Sequence, residues 1–206
     1  MVAGDGAGGE KWVRVARRHL LDGRIFEVVE RENRGPDGRV GRFTVLEAPE
    51  WTTVVPVVEG PGGRSFLMVR QYRHGSDEVS VEFPGGVVER GEEPAAAAAR
   101  ELEEETGYRA GSLVPLGWTY PNPAFMDNRF HVFLATGCDA TGRRSLDEHE
   151  IVDAFLVPEA ELRESMGKAP YSHALMVAAL FLAERRLGAG SGLSHGRESG
   201  GAGASR

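Results

Sequence analysis

Cysteine is almost missing from this chain of 206 residues: Cys138 is the only one. No intramolecular disulfide can form, so stability has to come from a packed core, and a lone thiol agrees with a reducing compartment. Cys138 is expected to be a small packing residue. Long apolar runs are missing too. No stretch approaches the ~18 apolar residues of a membrane-spanning helix, so no membrane partner is expected. Met1 to Glu10 is glycine-rich and mildly acidic, without the basic segment and apolar core of a secretory signal, and the cytoplasm is the expected location. Positive charge is in deficit as well, 24 Lys and Arg against 31 Asp and Glu for a formal net charge of −7. Nucleic-acid phosphates are usually met by a basic patch or stripe, so no nucleic-acid partner is expected. Phosphorylated small molecules stay open, because a divalent cation can sit between carboxylates and a ligand's phosphates.

Large apolar residues are scarce in residues 1–10 and 188–206, where Gly, Ser and Ala dominate. Such segments bury too little to offset the entropy of ordering them, and both are expected to be disordered tails around a single domain over residues 11–187. Within that domain, Trp12 to Val15, Arg24 to Glu30, Arg42 to Leu46 and Thr52 to Val58 read as strands, rich in Val, Phe, Leu and Thr. Residues 11–50 are thus expected to form an antiparallel β meander ahead of a core over 51–187. Asn33-Arg-Gly-Pro-Asp-Gly38 supplies the Pro, Asp and Gly of a tight turn and predicts a hairpin. Further strands are expected at Ser65 to Gln71, Val79 to Phe83, Leu113 to Trp118, Arg129 to Ala135 and Ile151 to Val157. Pro94 to Thr106 reads as a helix, with Pro in its first turn and a stop at Gly107; His173 to Leu187 reads as a second, stopping at Gly188. The expected class is α+β, a mixed sheet covered by helices rather than a doubly wound parallel sheet.

The chemistry concentrates between Gly86 and Tyr108. At about 100° per residue, Glu101, Glu104 and Glu105 fall within about a third of a helix circumference, with Ala95, Ala98, Ala99 and Leu102 on the adjoining arc as the expected packing face. Like charges three and four residues apart weaken an isolated helix by a few tenths of a kcal/mol per pair, roughly, so the spacing points to a compensating cation, with a merely solvated acidic face as the alternative. Mg²⁺ and Mn²⁺ prefer carboxylate oxygens and leave coordination positions for water and phosphate.

Gly86, Glu92, Arg100, Glu101, Leu102, Glu104, Glu105 and Gly107 together resemble the signature box of the Nudix hydrolase superfamily, with Tyr108 where an aliphatic residue is usual. The resemblance implies an α/β/α sandwich and a Mg²⁺-dependent pyrophosphohydrolase. It implies that Glu101 and Glu105 ligate the metal, with Glu104 as a further ligand or a partner of a metal-bound water, and that the Gly85 carbonyl reaches a metal. Glu92 is expected to pair with Arg100, which orients the cluster, while Gly86 turns the chain; charged side chains holding ligands in place are a normal device. For the group that deprotonates the attacking water, resemblance to the ADP-ribose hydrolases points to a later glutamate, here Glu148 or Glu150.

Resemblance to the ADP-ribose pyrophosphatase branch runs from about Trp12 to Leu187. It rests on the meander, on Val69-Arg-Gln-Tyr-Arg73, on Glu82-Phe-Pro-Gly-Gly86, and on Pro123 as a downstream marker. Tyr120 to Arg129 departs from the branch's Ser-Pro-Gly followed by an acidic residue, so another nucleoside-diphosphate sugar such as GDP-mannose, or a dinucleotide such as NADH, stays open beside ADP-ribose. Arg73 and Glu82 are the expected substrate-side residues, since a guanidinium suits phosphate or ribose and a carboxylate can accept ribose or base donors; Pro123 and Arg129 complete that set. The branch also implies a homodimer joined through the N-terminal strands, and two-fold assembly is the commonest kind.

Other signals are set aside. Gly4-Asp-Gly-Ala-Gly-Gly9 matches a dinucleotide fingerprint in letters only, since no strand precedes it and no helix pattern follows. The histidines show no metalloprotease spacing, and His131 reads as a core or substrate-lining residue. A non-catalytic nucleotide-sensing module is disfavoured by the intact Glu101, Glu104 and Glu105.

Overall fold

The computed structural model describes residues 11–142, 144–145 and 151–191. Three N-terminal strands, β1 (Val13–Asp22), β2 (Glu27–Arg34) and β3 (Val40–Glu47), form an antiparallel sheet of their own. The predicted hairpin joins β2 to β3: Gly35 N–H donates to the Arg39 carbonyl at 2.8 Å, and Gly38 takes a positive φ of 82° that a side chain would disfavour. β1 and β2 are longer than the apolar pattern suggests, because ion pairs carry the pairing onward where that pattern fades. Arg17 bonds Glu27 and Glu47, and Arg18 bonds Glu30. β2 begins only at Glu27, since Gly23 to Phe26 is spent on a turn in which Arg24 adopts a φ of 69°.

The main sheet runs in the order β12 (Asp153–Pro158), β5 (Gly63–Arg73), β4 (Trp51–Gly60), β10 (Phe130–Thr136), β9 (Ser112–Thr119), with β6 (Glu78–Glu82) paired to β5 and β7 (Gly85–Val87) paired to β4. β4 and β10 run parallel and the other pairs antiparallel, so the sheet is mixed as expected. Two short strands, β8 (Tyr108–Arg109) and β11 (Asp139–Ala140), pair separately.

Period-two alternation divides the core between the two faces of the sheet. Val55, Val57, Phe66, Met68, Val132 and Leu134 point to one side, with Leu162 of α2 (Glu159–Ser165) and Met176, Ala179 and Leu180 of α3 (Ala174–Ser191). Val54, Leu67, Phe133 and Ala135 point to the other, against Ala98 and Leu102 of α1 (Pro94–Thr106). The result is the α/β/α sandwich. One helix expectation is corrected and one helix is added. Gly188 does not stop α3, which continues to Ser191; a glycine inside a helix costs only about 1 kcal/mol and is no barrier by itself. α2 was not anticipated, being too short to show periodicity, although Glu159 and Glu161 in its first turn suit a helix start.

Candidate active site

α1 occupies the predicted span. Pro94 stands in its first turn, and Gly107 ends it in the left-handed region at φ 72°, its N–H donating to the Glu103 carbonyl. Its buried residues, however, are Ala97, Ala98, Leu102, Glu105 and Thr106, while Ala95 and Ala99 are exposed. The carboxylate stripe is therefore not beside the packing face; part of it lies inside that face. The reason stands opposite. β7 brings Gly85 and Gly86 against the helix, and two residues without side chains leave room for carboxylates. Gly85 N–H donates to Glu105 Oε2 at 2.9 Å, and a Cβ on Gly86 would lie 2.7 Å from the Glu101 carboxyl carbon. Gly85 has a different constraint, since a Cβ there would lie 2.7 Å from Thr53 Cα on the paired strand β4.

Arg100 gathers the rest of the ridge. Its Nη1 donates to Glu101 Oε1 and to Glu104 Oε2, both at 2.9 Å, its Nε and Nη2 reach the Glu92 oxygens at 3.1 and 3.2 Å, and Nη2 also reaches the Val87 carbonyl. The Glu92 carboxylate, followed by Glu104 and Glu101, holds the guanidinium pKa well above its ordinary value, although partial burial opposes this. In return Arg100, with the Glu89 N–H, holds the Glu92 carboxyl below the usual range. One guanidinium thus serves three carboxylates.

Among the described residues no three His, Cys, Asp or Glu side chains converge as a ready-made metal cage. The ridge still fits a hard divalent ion. Its donors are carboxylate oxygens, and the missing side chain at Gly86 opens a cradle for one of them. Mg²⁺ is commonly held by one or two carboxylates plus substrate phosphates, keeping its waters, rather than by an all-protein cage.

Beside the ridge lies a cavity of about 590 Å³ whose wall includes Gly85, Gly86 and Val87, together with Trp51, Phe83, Phe130 and Leu175. This size and apolar character suit a small-molecule site. Two of its polar groups, Arg73 and His173, converge on Glu82, which is 1% exposed. Arg73 grips that carboxylate with both arms, Nε to Oε1 at 2.8 Å and Nη2 to Oε2 at 2.7 Å, and His173 Nδ1 stands 2.9 Å from Oε2. Burial alone would raise the Glu82 pKa, but the bonds from Arg73 and His173 outweigh it and hold the group ionised, far below the ordinary carboxylate range.

The structure therefore puts Arg73 and Glu82 on one cavity wall, bonded to each other. Pro123 lies elsewhere, in a second hollow with Trp12 and with Asn33 and Phe43 of the N-terminal sheet. Arg129 lies over the Trp118 ring, 4.6 Å from its centroid, and does not line the cavity. His131 bonds Glu50 at 2.7 Å. Glu148 and Glu150 fall outside the described residues. Cys138 is packed, and burial pushes its thiol pKa up to about 11, so it is a poor nucleophile. His173 is the site residue that sequence reasoning missed. It comes 91 positions after Glu82, and no local pattern marks it.

Fold and ridge together define a class. The chain belongs to the Nudix family: the NUDIX domain model matches residues 49–179. Within that family it is similar to an ADP-ribose pyrophosphatase of Bacillus subtilis, 33% identical over 144 residues that cover 69% of this chain and 76% of that protein. It is also similar to an ADP-ribose pyrophosphatase of Mycobacterium tuberculosis, 31% identical over 78% of each chain. The solved structure of an ADP compounds hydrolase superposes with a TM-score of 0.76 over 90% of this chain and 98% of that one, and at 23% identity it supports the fold alone. Nudix hydrolases generally use a divalent metal. No helix among the described residues is long and apolar enough to cross a membrane.

Proposed function

We propose that the chain is a Mg²⁺-dependent pyrophosphohydrolase that splits the diphosphate bridge of ADP-ribose or a related ADP-sugar into AMP and a sugar phosphate, Mn²⁺ serving in place of Mg²⁺. One observation carries the reading. Gly85 and Gly86 meet the Glu105 and Glu101 carboxylates and also belong to the cavity wall, so a ligand seated in the cavity has its phosphates within reach of the ridge. The names of the Bacillus and Mycobacterium relatives support the choice of an ADP-sugar.

In this reading Glu101, Glu105, Glu104 and the Gly85 carbonyl hold the ion. When bound, it would neutralise phosphate charge and make a bound water more acidic than bulk water, so that a carboxylate base could take its proton. Arg100 keeps Glu101 and Glu104 oriented, and Glu92 keeps Arg100 in place. Arg73 offers a guanidinium to the diphosphate, a role that its flat, always-charged fork suits. Glu148 and Glu150 are the candidates for accepting the proton of the attacking water.

The proposal includes a homodimer in the cytoplasm. β1 is exposed along its whole length, and Val13, Val15, Val40 and Phe43 on the N-terminal sheet, with Trp12 just before it, leave apolar surface that a two-fold partner would cover. Gel filtration at low concentration is expected to give twice the chain mass; a monomer removes the dimer from the reading.

Hydrolysis of ADP-ribose, ADP-glucose, GDP-mannose, NADH and a nucleoside triphosphate, with Mg²⁺ and then Mn²⁺, tests the substrate. An ADP-sugar is expected to turn over fastest. Faster cleavage of GDP-mannose or NADH reassigns the substrate, and no hydrolysis of any of them ends the enzymatic reading.

A further inference from the structure

The carboxylate of Glu82 is hidden, yet both groups that bond it stand at the cavity. A carboxylate only accepts hydrogen bonds, so the 2.9 Å contact from His173 requires a proton on Nδ1. That bond and the fork from Arg73 share Oε2. His173 is itself fixed at the start of α3, where its carbonyl accepts the Met176 and Val177 N–H groups at 3.0 and 3.3 Å. Arg73 closes β5, and its carbonyl accepts the Asp77 N–H at 2.9 Å, which ties down the backbone.

That side chain is 44% exposed, so its direction depends on what it grips. A guanidinium is planar and so is a carboxylate, and two parallel bonds force the planes to agree. Whatever fixes the rotation of the Glu82 carboxylate therefore fixes how Arg73 faces the cavity. Resting on the nucleotide reading above, we propose that His173 is a positioning residue for substrate binding: through Glu82 it sets the plane in which Arg73 meets the phosphates of a nucleoside-diphosphate sugar.

Removing the imidazole takes away one of the donors on Oε2, and the buried carboxylate then turns to regain one, taking Arg73 with it. Asparagine offers a side-chain N–H near the position of Nδ1, so His173→Asn restores the link where His173→Ala breaks it. Because the effect runs through Arg73, it disappears once Arg73 is gone, which a double-mutant cycle reads directly.

The experiment is calorimetric binding of ADP-ribose to the full chain in EDTA, where turnover is suppressed, for wild type, His173→Ala, His173→Asn, Arg73→Ala and the double Ala variant, with Tm measured for each. Steady-state kinetics with Mg²⁺ follow. The expected result is that His173→Ala raises Kd and KM about 10-fold with kcat within about 2-fold. His173→Asn recovers most of that loss, and the double variant binds no worse than Arg73→Ala. Unchanged affinity in His173→Ala, an equal loss in the Arg73→Ala background, or a loss that tracks a fall in Tm overturns the positioning role while leaving the substrate reading intact. A wild type that neither binds nor cleaves ADP-ribose removes the substrate reading and this role with it.

Discussion

Glu105 and Glu82 are almost equally hidden, at 2% and 1% exposure, but their surroundings treat the charge in opposite ways. Glu82 faces a guanidinium and an imidazole, so its charge is answered from within the chain. Glu105 receives a backbone N–H from Gly85 and shares its helix face with Glu101 and Glu104, whose common cation, Arg100, also serves Glu92. A buried carboxylate is costly unless paired. The first arrangement is complete without any ligand, whereas the second gathers Glu92, Glu101 and Glu104 on one guanidinium beside the cavity. In the proposed function, the difference separates a group that holds other groups in place from groups that would take up a cation.

The sharpest way to break this contrast is Glu105→Gln. The amide oxygen still accepts the Gly85 N–H, so the fold is expected to survive, while loss of the charge lowers turnover by about three orders of magnitude or more, the scale on which the loss of a catalytic charge is felt. Near-normal kcat together with a wild-type circular dichroism spectrum would show that the ridge holds no functional metal. Next in size are the two adjacent glycines. Gly85→Ala sets a methyl group against the backbone of Thr52 and Thr53, which cannot yield, and about 3 kcal/mol of stability or more is expected to be lost. Gly86→Ala meets first the movable end of Glu101, so stability changes by about 1 kcal/mol or less, but the displaced carboxylate lowers activity roughly 10- to 100-fold. Thermal melts paired with kcat/KM separate the two, and equal effects on both quantities would erase the distinction between a packing glycine and a site glycine.

These pairs also mark how far the sequence could be read. Helix α1 and its acidic stripe were legible because one helix turn brings residues three and four apart together, and the box residues lie within that reach. The stripe's relation to the packed face was not legible. It depends on β7, a three-residue strand too short to leave a periodic trace, and on the absence of side chains at Gly85 and Gly86. The β strands were found where apolar residues alternate, and their ends were missed where ion pairs such as Arg17 to Glu47 take over from burial. His173 was invisible because its partner comes from another element far back in the chain, and no spacing rule links them.

The Glu82 side of the contrast is a stability statement with a definite sign. Its folded pKa is depressed, so its contribution is complete above the ordinary carboxylate range, near pH 4.3, and is lost as pH falls below that toward the folded value. Glu82→Gln leaves Arg73 and His173 without their anion. After allowance for the solvent around Arg73, a loss of about 1–3 kcal/mol at pH 7 is expected, or about 2–10 °C in Tm. Between pH 6 and 3, roughly the window in which carboxylates take up protons, the wild-type Tm is expected to fall more steeply than that of the variant. Parallel curves would mean that Glu82 is not the group whose ionisation is being lost.

The smallest expected effect tests whether burial or pairing is what matters. Glu30 on the N-terminal sheet also has its arginine, with Arg18 Nη2 at 3.2 Å, but the Arg18 side chain is 67% exposed. Water screens the attraction, and the long side chain gives up rotamer freedom to make it, so Arg18→Ala is expected to change stability by about 0.5 kcal/mol or less. A urea melt of this variant beside Glu82→Gln places on one scale a buried pair that bonds through both carboxylate oxygens and an exposed pair that bonds through one. If the surface variant lost as much as the buried one, exclusion of water from the cavity wall could not be what gives Glu82 its hold on Arg73.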